Sequence, residues 1–296
     1  MSKTRSPHLR AVFQALLVTF LWSTSWVLIK MGLQDIPALP FAGLRYTLAC
    51  VCLLPLALRR ERLGALRRLS RLAWGRLILL GLLFYSVTQG AQFLSLAYLP
   101  AVTVSLLLSF TTILVALLGL FLLAERPTSM QWAGTGLYLV GVLVFFYPLS
   151  VPESQAFGLA VAGIGVLANA LSSILGRAVN RDARLEPVTV TVVSMGIGGL
   201  ALLVGGTIVQ ELPHMTPTNW AIVAWLAVVN SAFAFTLWNL TLRTLSAMES
   251  SIINNTMLFQ IALLAWIFLG ESLGWQQVAG MVLAALGTLI VQVRQG

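Results

Sequence analysis

Residues 125–144 read ERPTSMQWAGTGLYLVGVLV, and residues 271–290 read ESLGWQQVAGMVLAALGTLI. At an offset of 146 the two stretches pair Glu125 with Glu271, Gln131 with Gln277, Ala133 with Ala279, Gly134 with Gly280 and Gly141 with Gly287. Carried back to residues 96–144 laid on 242–290, the alignment holds 15 identities in 49 positions, Ser105 on Ser251 among them. Leucine-rich chance matching inflates such a count, so the weight rests on the polar and glycine matches. At an offset of 147, Ser25 also meets Ser172, Lys30 meets Arg177, Asp35 meets Asp182 and Pro40 meets Pro187. The chain therefore reads as two related halves, residues 1–150 and 151–296.

The halves consist almost wholly of apolar runs. Of 296 residues 58% are apolar and 9% charged, with a mean hydropathy of +0.92, whereas soluble domains have about 45–50% apolar and about 25% charged residues. A water-soluble fold is excluded. A bilayer-spanning helix takes roughly 20 residues, and the runs predict ten of them, at about 11–32, 38–58, 75–97, 101–123, 130–148, 156–179, 186–209, 218–243, 250–269 and 275–293. A transmembrane barrel would show alternating segments of about ten residues instead. The predicted fold class is an all-α integral membrane protein of ten transmembrane helices. Five helices per half is an odd number, so the second half enters the bilayer inverted. Inverted repeats with a site near the midplane recur in secondary transporters.

A formal charge of +9 could suggest nucleic acid, but the basic residues sit in short pieces between apolar runs and not on one soluble face. No nucleic-acid partner is expected. Positive residues flanking spans resist translocation. With a cytoplasmic N-terminus, Lys3, Arg5, Arg10, the cluster Arg59, Arg60, Arg62, Arg67, Arg68, Arg71 and Arg76, and Arg126, Arg177, Arg181, Arg184, Arg243 and Arg294 all fall on the inside. That is 16 of the 18, leaving Lys30 and Arg45. Both termini are thus expected to be cytoplasmic. Trp74 and Trp132 then mark the inner interface and Trp220, Trp266 and Trp275 the outer one. The first run lacks a small-residue cleavage site and reads as a retained span. Cys50 and Cys52, two apart in one run, predict neither a disulfide nor a metal site.

The inventory for chemistry is poor. His8 and His214 are the only histidines and lie outside the runs, Asp35 and Asp182 lie in loops, and there is no P-loop. An enzyme, a metal site and a nucleotide-driven pump are not expected, nor is any cofactor. What remains at depth is neutral, polar and aromatic. Tyr85, Gln89 and Gln92 follow i, i+4, i+7 spacing on the third span. The equivalent face of the eighth carries Ser231, Phe235 and Trp238, with Asn239 adjacent. Ser105, Ser109 and Thr112 share a face of the fourth span, matched in the ninth by Ser251, Asn255 and Leu258 with Asn254 and Gln260 beside them. The first span adds Trp22, Ser23 and Trp26; the sixth adds Asn169, Ser172 and Ser173. A single Ser or Thr here reads first as interhelical glue. The set reads otherwise, because amides and aromatics recur on matched faces, as a cavity shared by two halves requires.

The early stretch Leu21-Trp22-Ser23-Thr24-Ser25-Trp26, the second-span Gly43-Leu44-Arg45-Tyr46, and Glu125 before Gln131-Trp132-Ala133-Gly134 resemble the EamA family of the drug/metabolite transporter superfamily. The resemblance covers essentially the whole chain. It implies a polytopic inner-membrane exporter of small metabolites with a central cavity.

Arg45 is the one strong charge within a span, about two turns from the outer surface. It reads equally as a group for a substrate carboxylate and as a snorkelling side chain. Glu249, at the start of the ninth span, is the only candidate proton carrier, and a solvated helix end is its simpler reading. Lys30 with Asp35 reads as a surface pair, and Glu125 and Glu271 as structural or gating groups. Gly134 and Gly141 with Gly280, Ala284 and Gly287 assign the fifth and tenth spans to scaffold or to a homo-oligomer contact. The expected function is export of small amphipathic solutes, aromatic and other neutral amino acids, by alternating access; the expected partners are that solute and the lipid bilayer. A gated channel, or a receptor or scaffold without transport, is the alternative.

Overall fold

The computed structural model describes residues 5–57, 64, 66–111, 113–115, 118, 128–147, 153–181, 185–241, 244–245 and 247–292. Among them lie ten helical segments and no strand: α1 (Arg5–Gly32), α2 (Ala38–Ala57), α3 (Arg71–Tyr98), α4 (Ala101–Ser109), α5 (Ser129–Phe146), α6 (Glu153–Arg181), α7 (Pro187–Val209), α8 (217–241), α9 (Ala247–Leu269) and α10 (Trp275–Gln292). Each predicted run meets one helix. Six of them, α1, α2, α3, α6, α7 and α8, are individually long and apolar enough to cross a bilayer. Large apolar side chains such as Ile208, Val209 and Trp275 are 79%, 74% and 90% exposed, which only hydrocarbon or its interface makes tolerable in such numbers. The protein is an all-helical, multi-pass membrane protein.

Local chemistry sets the helix ends. Ser70 accepts a hydrogen bond from the Ala73 amide at 3.2 Å and so caps α3. Thr216 does the same for α8 through Asn219, with Pro217 in the first turn; both arrangements satisfy amides that a helix start leaves open. At the end of α9, Gly270 takes φ of 68°, and the Glu271 amide reaches back to the Ala265 carbonyl at 3.2 Å. Such a left-handed stop favours glycine.

Two spans depart from the regular helix assumed in the stripe argument. Residues Gly81–Thr88 of α3 and Val228–Phe233 of α8 are π-helical. Shifted by 146, the first segment covers 227–234, so the irregularity itself repeats. Threonine and serine hydroxyls take up the carbonyls that this register displaces: Thr88 Oγ1 donates to Leu83 O at 2.9 Å and Ser231 Oγ to Leu226 O at 2.9 Å, each five residues back. π-turns of this kind commonly mark functional positions.

Packing divides the chain into two compact units that each draw on both sequence halves: residues 1–27, 99–156 and 234–296, and residues 28–98 and 157–233. In the first unit α5 lies against α10. A Cβ on Gly141 would come within 2.4 Å of Ala284 N and 2.6 Å of Gly280 O, and one on Gly287 within 2.4 Å of Tyr138 N and 2.6 Å of Gly134 O. Residue numbers thus rise along α5 as they fall along α10, so the helices are antiparallel. Gly134 meets the repeat equivalent of Gly141, and Gly141 meets that of Gly134. That reciprocal pairing is a pseudo-twofold contact, the signature of an inverted repeat. Backbone-to-backbone approach supplies the dispersion contact that lipid cannot outcompete.

In the second unit α7 packs on α2 and α3. A Cβ on Gly43 would meet Leu203 Cα at 2.4 Å, one on Gly206 would meet Pro40 N at 2.8 Å, and one on Gly196 would meet Cys50 Sγ at 3.0 Å. These pairs make α2 and α7 antiparallel. The partner α3 runs parallel to α7, with Ser86 Oγ donating to Gly198 O at 2.7 Å.

Candidate functional site

Each unit holds one cluster in which polar groups and aromatic rings from distant parts of the chain meet. In the first unit the indole of Trp22 on α1 tilts against Phe235 and Trp238 of α8, with centroids 5.2 and 5.3 Å apart. All three rings are half-buried, and Trp238 also covers the apolar cluster of Ala11, Ala15, Leu245 and Ile253. Phe235 and Trp238 are three apart, so one helical face presents both rings to Trp22. The next residue, Ser23, fully buried, donates to Thr19 O at 2.8 Å and lies 2.9 Å from Gln260 Oε1. Gln260 Nε2 donates in turn to Thr256 Oγ1 at 2.9 Å. The hydroxyl of Ser23 is thereby engaged in holding α1 to α9.

Trp26 is buried in the same unit, and Asn254 on α9 is exposed. Ser109 belongs to a different contact: its Oγ lies 2.7 Å from Leu106 O and 3.2 Å from Tyr138 Oη, and Tyr138 donates to Leu106 O at 2.8 Å. That ties α4 to α5. Glu271 closes α4 from the other end, its carboxylate accepting from the Ala101 and Val102 amides at 2.8 and 3.3 Å. A carboxylate at a helix N-terminus meets both open amides and the positive end of the dipole. Thr112 and Glu125 lie outside the described residues, as do the side chains of Asn239, Glu249 and Asn255.

In the second unit Arg45 is 4% exposed. Burial rules out the snorkelling geometry for this side chain. Its Nε donates to Ser231 Oγ at 3.0 Å, and its guanidinium lies over the rings of Tyr46 at 5.1 Å and Phe93 at 5.9 Å. Tyr46 donates to Gln89 Oε1 at 2.6 Å and packs edge-on to Tyr85 at 5.4 Å. Tyr85, inside the π-helical segment, and Gln89, directly after it, are therefore gathered on one residue of α2. Ser231 and Tyr85 are repeat equivalents, and both serve the Arg45–Tyr46 pair. Gln92 is half-buried one turn further along α3. On α6, Asn169 is half-buried and Ser173 exposed, its hydroxyl donating to Asn169 O at 2.8 Å.

The sequence reading thus singled out Arg45, Tyr85 and Gln89 but missed the residue that joins them. Tyr46 carried a signal: it is the only tyrosine of its span and adjoins Arg45, the one strong charge within a span. Phe93 and Thr19 carried none, being ordinary apolar and small residues within apolar runs. No group of three or more His, Cys, Asp or Glu suited to a metal occurs among the described residues.

Comparison with known proteins agrees with this architecture. A solved crystal structure covers 95% of this chain and 97% of its own, with a TM-score of 0.67 at 20% identity, a likeness of fold. An uncharacterized transporter, YvbV, of Bacillus subtilis is 27% identical over 95% of this chain and 92% of its own length. A protein of Salmonella typhimurium named a probable amino-acid metabolite efflux pump is 28% identical over 94% and 93%. An S-adenosylmethionine/S-adenosylhomocysteine transporter of Chlamydia trachomatis is 25% identical over 88% and 83%. The model of the EamA-like transporter family matches twice, over residues 9–147 and 156–293. With both halves matched in succession, the chain belongs to the EamA-like transporter family and is a membrane transporter of small molecules, not an enzyme.

Proposed function

We propose that the protein exports small amphipathic solutes, aromatic and other neutral amino acids among them, by alternating access. The observation that carries this reading is the Trp22, Phe235 and Trp238 cluster, whose half-buried rings offer aromatic surface, with an exposed amide side chain, Asn254, in the same unit. Aromatic walls suit apolar side chains, and Asn and Gln serve both an ammonium and a carboxylate. The relative named as an amino-acid metabolite efflux pump supports the same substrate class. In the first unit solute contacts are assigned to Trp22, Trp26, Phe235, Trp238 and Asn254, with Ser23 and Ser109 as supports that hold α1 and α4 in place; in the second they are assigned to Tyr85, Gln89 and Gln92.

In this reading residues 1–150 and 151–296 are two inverted five-helix repeats, and both termini face the cytoplasm of a bacterial-type inner membrane. The charge asymmetry supports that orientation. The inter-repeat glycines are engaged within the chain, so any homo-oligomer through α5 and α10 uses their outer faces, where Trp132, Leu139 and Leu143 are exposed. All nine acidic residues lie outside the spans or in a terminal turn, which supports movement down the substrate gradient without obligatory proton coupling.

The deciding experiment is efflux of radiolabelled amino acids from proteoliposomes. Saturable efflux of phenylalanine, tryptophan or leucine above that of empty liposomes is expected. Efflux equal to that of empty liposomes for the whole panel overturns the substrate class, and accumulation driven by an imposed pH difference and abolished by Glu249→Gln overturns the mechanism.

A further inference from the structure

We infer that Arg45 is the group that receives the carboxylate of the transported solute, and that the substrate class is therefore small solutes with a carboxylate beside an apolar or aromatic portion. This rests on the export reading above and narrows it. Arginine stays protonated in proteins and presents five N–H donors. Arg45 is 4% exposed within α2, and among the described residues its hydrogen bond is the single one from Nε to Ser231 at 3.0 Å. The rings of Tyr46 and Phe93 at 5.1 and 5.9 Å lend quadrupolar attraction but no counter-charge;.

Among the described residues no carboxylate pairs with Arg45. The chain's nine acidic residues are Asp35, Glu61, Glu125, Glu153, Asp182, Glu186, Glu211, Glu249 and Glu271. Asp35, Glu153, Glu186, Glu211, Glu249 and Glu271 lie between helices, at a helix boundary or in a first turn, and in the sequence Glu61, Glu125 and Asp182 fall outside the apolar runs. A guanidinium buried at membrane depth without a carboxylate is costly, and such a residue is retained where something else pairs with it. The surroundings say what that is. Tyr46 donates to Gln89 Oε1 at 2.6 Å, and among the described residues the Nε2 donors of Gln89, beside the tyrosine that flanks Arg45, make no hydrogen bond. Two sets of donors, one charged, beside the rings of Tyr46, Tyr85 and Phe93 match a carboxylate next to an apolar body;.

The test uses the full-length protein. Purified in detergent, it is treated with p-hydroxyphenylglyoxal, and modification of Arg45 is followed by peptide mass spectrometry with phenylalanine, phenylacetate or phenethylamine present. Both carboxylates should slow modification of Arg45 about fivefold or more while phenethylamine leaves it unchanged. In proteoliposomes the ratio of phenylalanine to phenethylamine flux should fall about tenfold in Arg45→Gln and recover partly in Arg45→Lys, as loss of a desolvated charge pair requires. A purely structural arginine would lower both fluxes together. If Arg45→Gln does not fold, protection in the wild-type protein decides.

The assignment is overturned if Arg45 is never modified, if phenethylamine protects as well as the acids, or if phenylalanine is exported without protecting Arg45; in that last case the export reading stands. Protection by phenylacetate without phenylalanine export leaves the carboxylate site in place and removes the amino-acid reading.

Discussion

Replacing Gly141 with alanine tests the α5–α10 contact directly. The added Cβ would lie 2.4 Å from Ala284 N and 2.6 Å from Gly280 O, both backbone atoms, where ordinary contact begins at 3.4 Å. One helix must therefore retreat by about 1 Å, and it would carry the neighbouring Gly134–Gly287 approach with it. Overpacking of this kind costs about 1–3 kcal/mol, and thinning the one dispersion-rich seam between the two helices adds to it. The unfolding midpoint in mixed detergent and SDS micelles should fall accordingly, with the folded-to-unfolded ratio lowered about 5- to 150-fold.

Gly136→Ala is the matched control. It sits on the same helix with nothing within 4 Å of its added Cβ, so it should be neutral or, through helix propensity, slightly stabilising. Because the contact is reciprocal, Gly287→Ala should cost the same as Gly141→Ala within about 0.5 kcal/mol. Equal stability of Gly141→Ala and Gly136→Ala would refute the close approach. Unequal costs at Gly141 and Gly287 would refute the pseudo-twofold relation.

Three further outcomes are expected. Trp238→Ala and Gln89→Ala should each lower amino-acid efflux about tenfold or more while folded protein remains in the membrane, measured by efflux alongside size-exclusion profiles; normal efflux in both would return these residues to interhelical packing. Tyr46→Phe, which deletes the hydroxyl bonded to Gln89, should lower stability by about 0.6–1.5 kcal/mol in the same micelle titration. Glu271→Ala should cost about 1 kcal/mol by uncovering the amides at the start of α4, with Glu271→Gln recovering part of it, and two equally destabilised variants would show that the cap is not what Glu271 contributes.

The stripe on α3 shows how far periodicity carries. Spacing of i, i+4 and i+7 put Tyr85, Gln89 and Gln92 on one face, and the structure does gather the first two on Tyr46. The intervening π-turn was invisible, because no local pattern distinguishes a five-back hydroxyl bond at Thr88 from the usual one. Ser109 shows the converse. It shared a predicted face with Thr112, yet its hydroxyl goes to Leu106 O and Tyr138, since Ser and Thr in apolar helices readily return to backbone carbonyls a turn away. The glycines of α5 and α10 were assigned to close packing from spacing alone, and their reciprocal pairing bears that out within one chain.

Hydropathy, charge placement and self-similarity are sums over short stretches of chain, and the bilayer responds to just those sums. Helix number, membrane residence, the two halves and the inversion of the second are therefore written in the sequence by itself. Partner choice is not. In a soluble helix the apolar stripe announces the buried face, but a span surrounded by lipid is apolar on every side, so nothing local reveals that α2 lays Gly43 on Leu203 of α7 or that α1 turns Trp22 toward α8. The Arg45–Ser231 hydrogen bond joins residues 186 apart and the Ser23–Gln260 bond residues 237 apart. Contacts at that range depend on how whole helices settle against one another, and only the tertiary structure decided them.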